Sequence, residues 1–152
     1  MKRILAVLFL LGLTALVQAQ SPAPYRVVTL LPGGTNNVAA TATNAPTDLG
    51  VNCSEQDQVA VFIQHAGTGA GSGVVVYSFA KGLDAASVET TPAVALAVPL
   101  SGTNTIRLLN EPTIGGCGYL KLVSIENTNA VAVTNIVVQV SRKNPRRTVN
   151  LR

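Results

Sequence analysis

Apolar residues alternate one by one with polar or small residues along most of the chain beyond residue 25. In 103–109, for example, Ile106 and Leu108 fall on one face of an extended strand, whereas Thr105 and Arg107 fall on the other. After the apolar run near the N-terminus, no segment keeps the helical period of 3.6 residues over ten positions. The period therefore favours an all-β fold over any fold that interleaves helices with strands.

This alternation predicts about eight strands with turn residues between them. A glycine-rich loop at 67–73 is expected to form a hairpin. No long connection between the predicted strands is helix-forming, as the crossover between parallel strands usually is. The sequence therefore predicts an all-β, antiparallel β-sandwich or jelly roll. The predicted strands cover 25–31, 38–43, 58–66, 74–80, 93–100, 103–109, 118–126 and 131–142.

The N-terminus resembles an export signal. Lys2 and Arg3 precede an apolar run at 4–17, and small residues follow at the positions that a signal peptidase reads. An uncleaved membrane anchor is the alternative, but the run is shorter than the roughly 20 residues that span a bilayer. We therefore expect a secreted protein, extracellular or periplasmic, with no membrane span after cleavage. Its predicted parts are a signal peptide at 1–19, an extended N-terminal arm at 20–26, a β-sandwich domain at 27–141 and a basic C-terminal tail at 142–152.

The chain contains two cysteines, Cys53 and Cys117. In an exported protein two cysteines are more often paired than free. A bond across a loop of this length would stabilise the fold by roughly 4 kcal/mol in the chain-entropy model. We therefore expect one inter-strand disulfide that ties two sheets together. An immunoglobulin domain has a similar spacing, but this chain has no tryptophan for such a core.

Charges are few and unevenly placed. They make up 12% of the residues, about half of the usual quarter. The body at 20–141 has four basic and seven acidic residues, a net charge of −3, whereas the last eleven residues contain five basic ones. Such a tail could bind an anionic surface or glycan, nucleic acid through its backbone only, or the body of the next subunit, or it could simply be solvated.

The residues that carry enzyme chemistry are sparse. His65 is the only histidine, and a lone histidine at the end of an apolar strand is more often packed than catalytic. Ser72 lacks the glycine spacing of a nucleophile elbow, and 67–73 lacks the Lys-Ser/Thr of a phosphate-binding loop. We therefore predict a protein that is not an enzyme, with no catalytic, cofactor-binding or metal-binding residues. Calcium binding by Asp48, Glu55 and Asp57 stays an open alternative.

Two stretches carry a family resemblance. The run Phe79-Ala80-Lys81-Gly82-Leu83-Asp84, with Val88-Glu89-Thr90-Thr91-Pro92, resembles a strand–loop–strand pattern of small β-sandwich structural proteins from phage virion gene clusters. The segment at 118–125 is similar to a later strand of such proteins. The resemblance implies a repetitive structural or decoration subunit without an active site. The predicted signal peptide departs from it, because virion proteins normally assemble in the cytoplasm.

Together these features predict a secreted, non-enzymatic subunit that self-assembles into an extracellular filament, layer or coat. The alternatives are a monomeric binding or adhesion module for surface glycan or protein, and a phage virion decoration protein. In 93–99 the Ala/Pro face is smooth enough to pack on a neighbour, and either terminus could add a strand to the next copy. The positive tail and negative body favour head-to-tail contact. The predicted interaction residues are Tyr25, Arg26, Arg142, Lys143, Arg146, Arg147, Val149 and Leu151.

Overall fold

A computed structural model describes residues 26–33, 36–54, 58–92, 94–110 and 117–143. These residues form nine β-strands, which confirms the all-β prediction. None of them belongs to a helix long and apolar enough to cross a membrane. The predicted signal peptide lies outside the described residues. The strands are β1 (Arg26–Leu31), β2 (Ala42–Asn44), β3 (Gly50–Asn52), β4 (Gln58–Gly67), β5 (Val74–Gly82), β6 (Val94–Pro99), β7 (Ile106–Asn110), β8 (Tyr119–Asn127) and β9 (Val133–Lys143).

The strands form two antiparallel sheets. Sheet A has the order β1-β9-β4-β7, and sheet B has the order β2-β8-β5-β6, with β3 paired to β8 beside β2. The strands pair as they would in one long hairpin folded over on itself. β1 pairs with β9, both β2 and β3 pair with β8, β4 pairs with β7, and β5 pairs with β6. The β4–β9 and β5–β8 pairs then close the two sheets. With β2 and β3 as one interrupted strand, this is the strand order of a jelly roll.

The core lies between the sheets and follows the predicted alternation. The inward residues of the central strands are almost fully buried, and Ile106 and Leu108 of β7 pack against them as predicted. Phe62 is only half-buried, because it shares a strand face with Gln64 rather than with its neighbours Val61 and Ile63. The largest fully buried side chains include Tyr77, Phe79, Ile63, Leu120, Leu122, Ile125 and Ile136.

The prediction of a hairpin at 67–73 is wrong. The strands that the loop joins lie in different sheets, so the loop carries the chain from β4 in sheet A to β5 in sheet B. Its backbone bonds to the β6–β7 connection, where Gly67 N donates to Gly102 O at 3.1 Å and Gly102 N donates to Gly71 O at 2.8 Å. A side chain at Gly67 would place its Cβ 2.5 Å from Gly102 O. Glycine is therefore required for this close approach.

The predicted Cys53–Cys117 disulfide is not formed, and both thiols are free. Nor would it join two sheets, because Cys53 follows β3 and Cys117 precedes β8, two neighbours in sheet B. Asn52 pairs with Tyr119, and Cys53 N donates to Gly118 O at 2.7 Å. Cys117 is thus offset by one residue from Cys53 beyond the ends of the paired strands.

Candidate interaction surface

The outer face of sheet A is a mixed apolar surface with little charge. Thr29, Gln139, Phe62 and Leu109 lie side by side in one row across its four strands. The row on one side of it contains Val27, Ser141 and Ala60, and the row on the other contains Val137, Gln64 and Arg107. Arg107 is the single charged residue among these ten, and its Nε donates to Gln64 Oε1 at 2.9 Å. We call this surface the A face.

Exposed apolar side chains concentrate on strands. Leu109 on β7 is 66% exposed and Val27 on β1 is 57% exposed, both on the A face, and Val74 on β5 is 40% exposed. Leu83, at 78% exposed, follows the end of β5 and belongs to neither sheet face. Scattered exposed apolar residues are normal on a soluble protein. Val27 and Leu109, however, lie on the opposite edge strands of one sheet, which is where a contact with another protein could cover them.

A second smooth surface lies on the outside of sheet B. In β6 the alternation is as predicted, with Leu96 and Val98 buried and Ala95, Ala97 and Pro99 exposed. Val74 of β5 pairs with Pro99, and Val76 pairs with Ala97, so small apolar groups continue onto the next strand. No charged residue occurs in β6.

Three predicted interaction residues fall within strands. Arg26 and Arg142 are cross-strand neighbours in the β1–β9 pair, and Lys143 pairs with Gln58. The other five predicted residues lie outside the described residues: Tyr25, Arg146, Arg147, Val149 and Leu151. Their role in assembly stays a prediction.

Arg142 is integrated into the sandwich. Its Nη1 donates to Asn52 O at 2.5 Å, which joins β9 of sheet A to β3 of sheet B. Its Nε is buried and has no hydrogen-bond partner. Burial raises the pKa of Cys53 to about 11, nearby Cys117 adds to the rise, and the positive charge of Arg142 opposes it. The sequence indicated a basic tail here, but it could not show that Arg142 turns back toward the fold.

His65 is fully buried and joins the two sheets through a polar chain. Its Nε2 lies 2.9 Å from Pro99 O, which can only accept, so this nitrogen must carry the proton. Its Nδ1, 2.8 Å from Tyr77 Oη, then accepts from the tyrosine hydroxyl. The two rings stack with centroids 5.9 Å apart. Burial lowers the pKa of His65 and raises that of Tyr77, so both are neutral at pH 7. This arrangement suits a structural link between sheets.

Asn127 forms a second buried polar centre, which sequence reasoning missed. Its Nδ2 donates to Ala39 O at 2.9 Å and to Val131 O at 2.8 Å. Its Oδ1 accepts from the backbone and side-chain nitrogens of Asn129 at 3.0 and 2.9 Å. Asn129 Nδ2 in turn donates to Val74 O at 3.0 Å. Only the Asn-Thr-Asn turn signal hinted at this network, and a turn signal says nothing about burial.

Among the described residues, no group of three His, Cys, Asp or Glu residues could hold a metal ion. Of the calcium candidates, Asp48 is exposed at a positive φ of 58°, whereas Glu55 and Asp57 lie outside the described residues. Asp84 accepts from the backbone nitrogen and hydroxyl of Ser87, which lowers its pKa. These bonds order the β5–β6 loop.

Comparison with known proteins finds distant similarity in structure, and none in sequence. No protein-family model matches the chain, and no curated protein matches its sequence. The PRD1 vertex protein P5 is similar to it, with a TM-score of 0.42 and 15% sequence identity, over 78% of this chain and 94% of that one. A phage virion protein is thus among its structural neighbours, in line with the resemblance seen in the sequence. At this TM-score the similarity supports no functional argument.

Proposed function

We propose that the chain is a secreted, non-enzymatic structural protein whose copies assemble head to tail into a filament, layer or coat. The observation that supports it best is the placement of Val27 and Leu109, two exposed apolar side chains at opposite edges of the A face, among whose ten residues Arg107 is the single charge. Burying such groups against another protein releases roughly 25 cal/mol per Å² of apolar surface. The low charge of that face keeps the desolvation cost of association small.

The fold is compatible with this role. Jelly rolls occur in viral capsid proteins, and also in lectins and cupins, so the strand order alone does not define a function. The inward-facing His65–Tyr77 pair is built as an inter-sheet link, which suits a rigid subunit. The export signal and the basic tail remain part of the proposal, since they rest on the sequence.

The proposed assembly can be tested by light scattering and negative-stain microscopy on the purified chain, with its N-terminus determined by mass. We expect the mean mass to rise with protein concentration and to fall with added salt if the basic tail contributes. Versions that begin at residue 26 or end at residue 143 keep all nine strands, and we expect them to assemble less readily. A chain that stays monomeric at every concentration and salt would contradict the proposal and favour a monomeric binding module instead.

We further propose that Cys53 and Cys117 become oxidised to a disulfide when the protein is exported. Cys53 N bonds to the carbonyl of Gly118, next to Cys117, so the two backbones are already adjacent. Cys117 lies two residues before the start of β8 and is only half-buried. Its thiol contacts Tyr119 O. Forming the bond requires that thiol to leave the carbonyl and turn toward Cys53. The reaction releases two protons and passes two electrons to an oxidant such as a protein disulfide.

Alkylation of the unreduced, denatured protein from its native compartment tests this. We expect an intact mass without modified thiols, and two modified thiols after reduction. A Cys117→Ser variant is the matched control, because its single thiol should be alkylated without reduction. Alkylation of both cysteines in the unreduced wild type would show that the pair stays reduced, as it is in this structure.

A further inference from the structure

We infer that the head-to-tail contact is a continuation of sheet A from one copy to the next, with β7 of one copy paired to β1 of its neighbour. This inference rests on the proposed function and specifies its interface. The partner is a second copy of the same chain. Among the described residues, β1 pairs only with β9, and β7 pairs only with β4, so each has one unpaired side.

The strand directions favour this contact. Every neighbouring pair in sheet A is antiparallel. Across four strands, β1 and β7 therefore run in opposite directions, and a copy displaced sideways places its β1 antiparallel to β7. The same holds in sheet B, where β2 and β6 are the outer strands and all pairs are antiparallel. Since β6 contacts β7 at one side of the sandwich and β1 contacts β3 at the other, both sheets can continue in the same step.

The edges also lack most of the features that normally prevent such pairing. Soluble proteins protect edge strands with charged residues, prolines and bulges. Arg26 and Arg107 are the only charged residues in β1, β2, β3, β6 and β7. Proline occurs only at the end of β6, and β1 has a bulge between Thr29 and Leu31. The regular stretches available for pairing are therefore 26–29 of β1 and the whole of β7.

The exposed apolar residues lie where this contact would cover them. Leu109 projects from the A face on β7, and Val27 projects from the same face on β1. In a continued sheet, residues on one face of adjacent strands pack as cross-strand neighbours. The contact would then bury Leu109 against the β1 face of the next copy. The β7–β1 pairing is short, since a strand of five residues is only about 17 Å long. Assembly should therefore depend steeply on concentration.

Two lysine substitutions test this, one on each edge. We expect Leu109→Lys and Val27→Lys each to raise the protein concentration at half-assembly about fivefold, since a cross-strand apolar pair is replaced by a charge. Leu83→Lys is the matched control, because it adds the same charge at an exposed leucine away from both edges, and its half-assembly concentration should be unchanged. All three positions are exposed, and circular dichroism and thermal unfolding verify folding.

Mixing the two edge variants is the most specific measurement. Leu109→Lys keeps an intact β1 edge and Val27→Lys keeps an intact β7 edge, so between the wild-type and variant thresholds an equimolar mixture should give 1:1 dimers that do not grow. An isologous β7–β7 contact predicts no such dimer. Hydrogen exchange of the wild type gives a readout without mutation, because assembly should protect the amides of 26–29 and 106–110.

The outcomes separate the two proposals. A wild type that never assembles overturns the proposed function and this inference with it. If the wild type assembles and both edge variants have its half-assembly concentration, the proposed function stands and the sheet continuation is overturned. An equal shift in Leu83→Lys also overturns it, since the effect would then be one of surface charge alone.

Discussion

Asn127→Asp is expected to reduce the free energy of unfolding by about 4 kcal/mol at pH 7, because it places an unpaired charge in a buried network. The amide nitrogen of Asn127 donates to the carbonyls of Ala39 and Val131, and a carboxylate oxygen in its place would face those carbonyls with no proton to share. The other oxygen would still accept from Asn129. The change preserves shape and volume almost completely, so the loss measures hydrogen bonding and charge rather than packing.

Urea denaturation at pH 7 and at pH 4 tests this expectation. Burial would raise the pKa of the new carboxyl above that of an unfolded aspartate, so the penalty should shrink as the pH falls and the group becomes protonated. Asn44→Asp provides the control, since Asn44 is exposed on β2 and the same change there should alter stability by less than about 0.5 kcal/mol. Equal losses of unfolding free energy in the two variants would mean that the Asn127 network stabilises the fold no more than an exposed asparagine does.

The alternation of apolar residues was sufficient to find most of the strands. A two-sheet sandwich buries one face of each strand, so burial appears in the sequence as an alternation of apolar and polar residues. β3 escaped detection because Gly50, Val51 and Asn52 contain a single buried position, which is too few to show a period.

Sheet membership was not predictable from local pattern. The glycine loop at 67–73 has the composition of a hairpin turn, but turn chemistry only reverses the chain and does not state which strand lies beside it. In this fold most strands pair with partners far away in sequence, as β1 does with β9. The disulfide expectation had the same weakness. Export and cysteine number indicate that a bond is favourable, whereas the register that offsets Cys117 from Cys53 is a property of the folded sheet.

The candidate interaction surface also has features that the local pattern predicted and features that only the folded sheets reveal. The smooth Ala/Pro face of β6 followed from alternation alone, and it was confirmed. The pairing of His65 with Tyr77 was invisible, because these residues lie on strands of opposite sheets and meet only across the core. The A face was missed because its rows combine residues from four strands, none of which is conspicuous alone.

The His65–Tyr77 pair gives the second large effect. His65→Ala is expected to reduce the free energy of unfolding by about 3 kcal/mol, since it opens a cavity and leaves both Tyr77 Oη and Pro99 O without their partner. Tyr77→Phe should cost about 1–2 kcal/mol because the buried Nδ1 loses its donor. Tyr119→Phe is the matched control on a half-buried tyrosine, and it should cost less than Tyr77→Phe. If His65 were instead catalytic, its loss would abolish a specific activity while the fold survived.

Acid sensitivity distinguishes this link from ordinary packing. Burial holds the pKa of folded His65 below its ordinary value of 6.5. The unfolded chain therefore takes up the proton first, and stability is fully present above pH 6.5 and declines as the pH falls from there toward the folded pKa. The slope is at most about 1.4 kcal/mol per pH unit for one proton. Tyr77, the titratable group bonded to His65, stays neutral over this range because burial raises its pKa.

Carboxylates act in a different window. Asp84 has a pKa below its ordinary value of 3.8, so its contribution is lost only as the pH falls below that value. Denaturation curves between pH 8 and pH 5 therefore isolate the histidine. We expect the wild type to lose stability across the lower half of that range and His65→Ala to show a flat profile there. A wild type whose stability is constant from pH 8 to pH 5 would mean that His65 takes up its proton inside the fold as readily as outside it, and the inter-sheet link as described would be wrong.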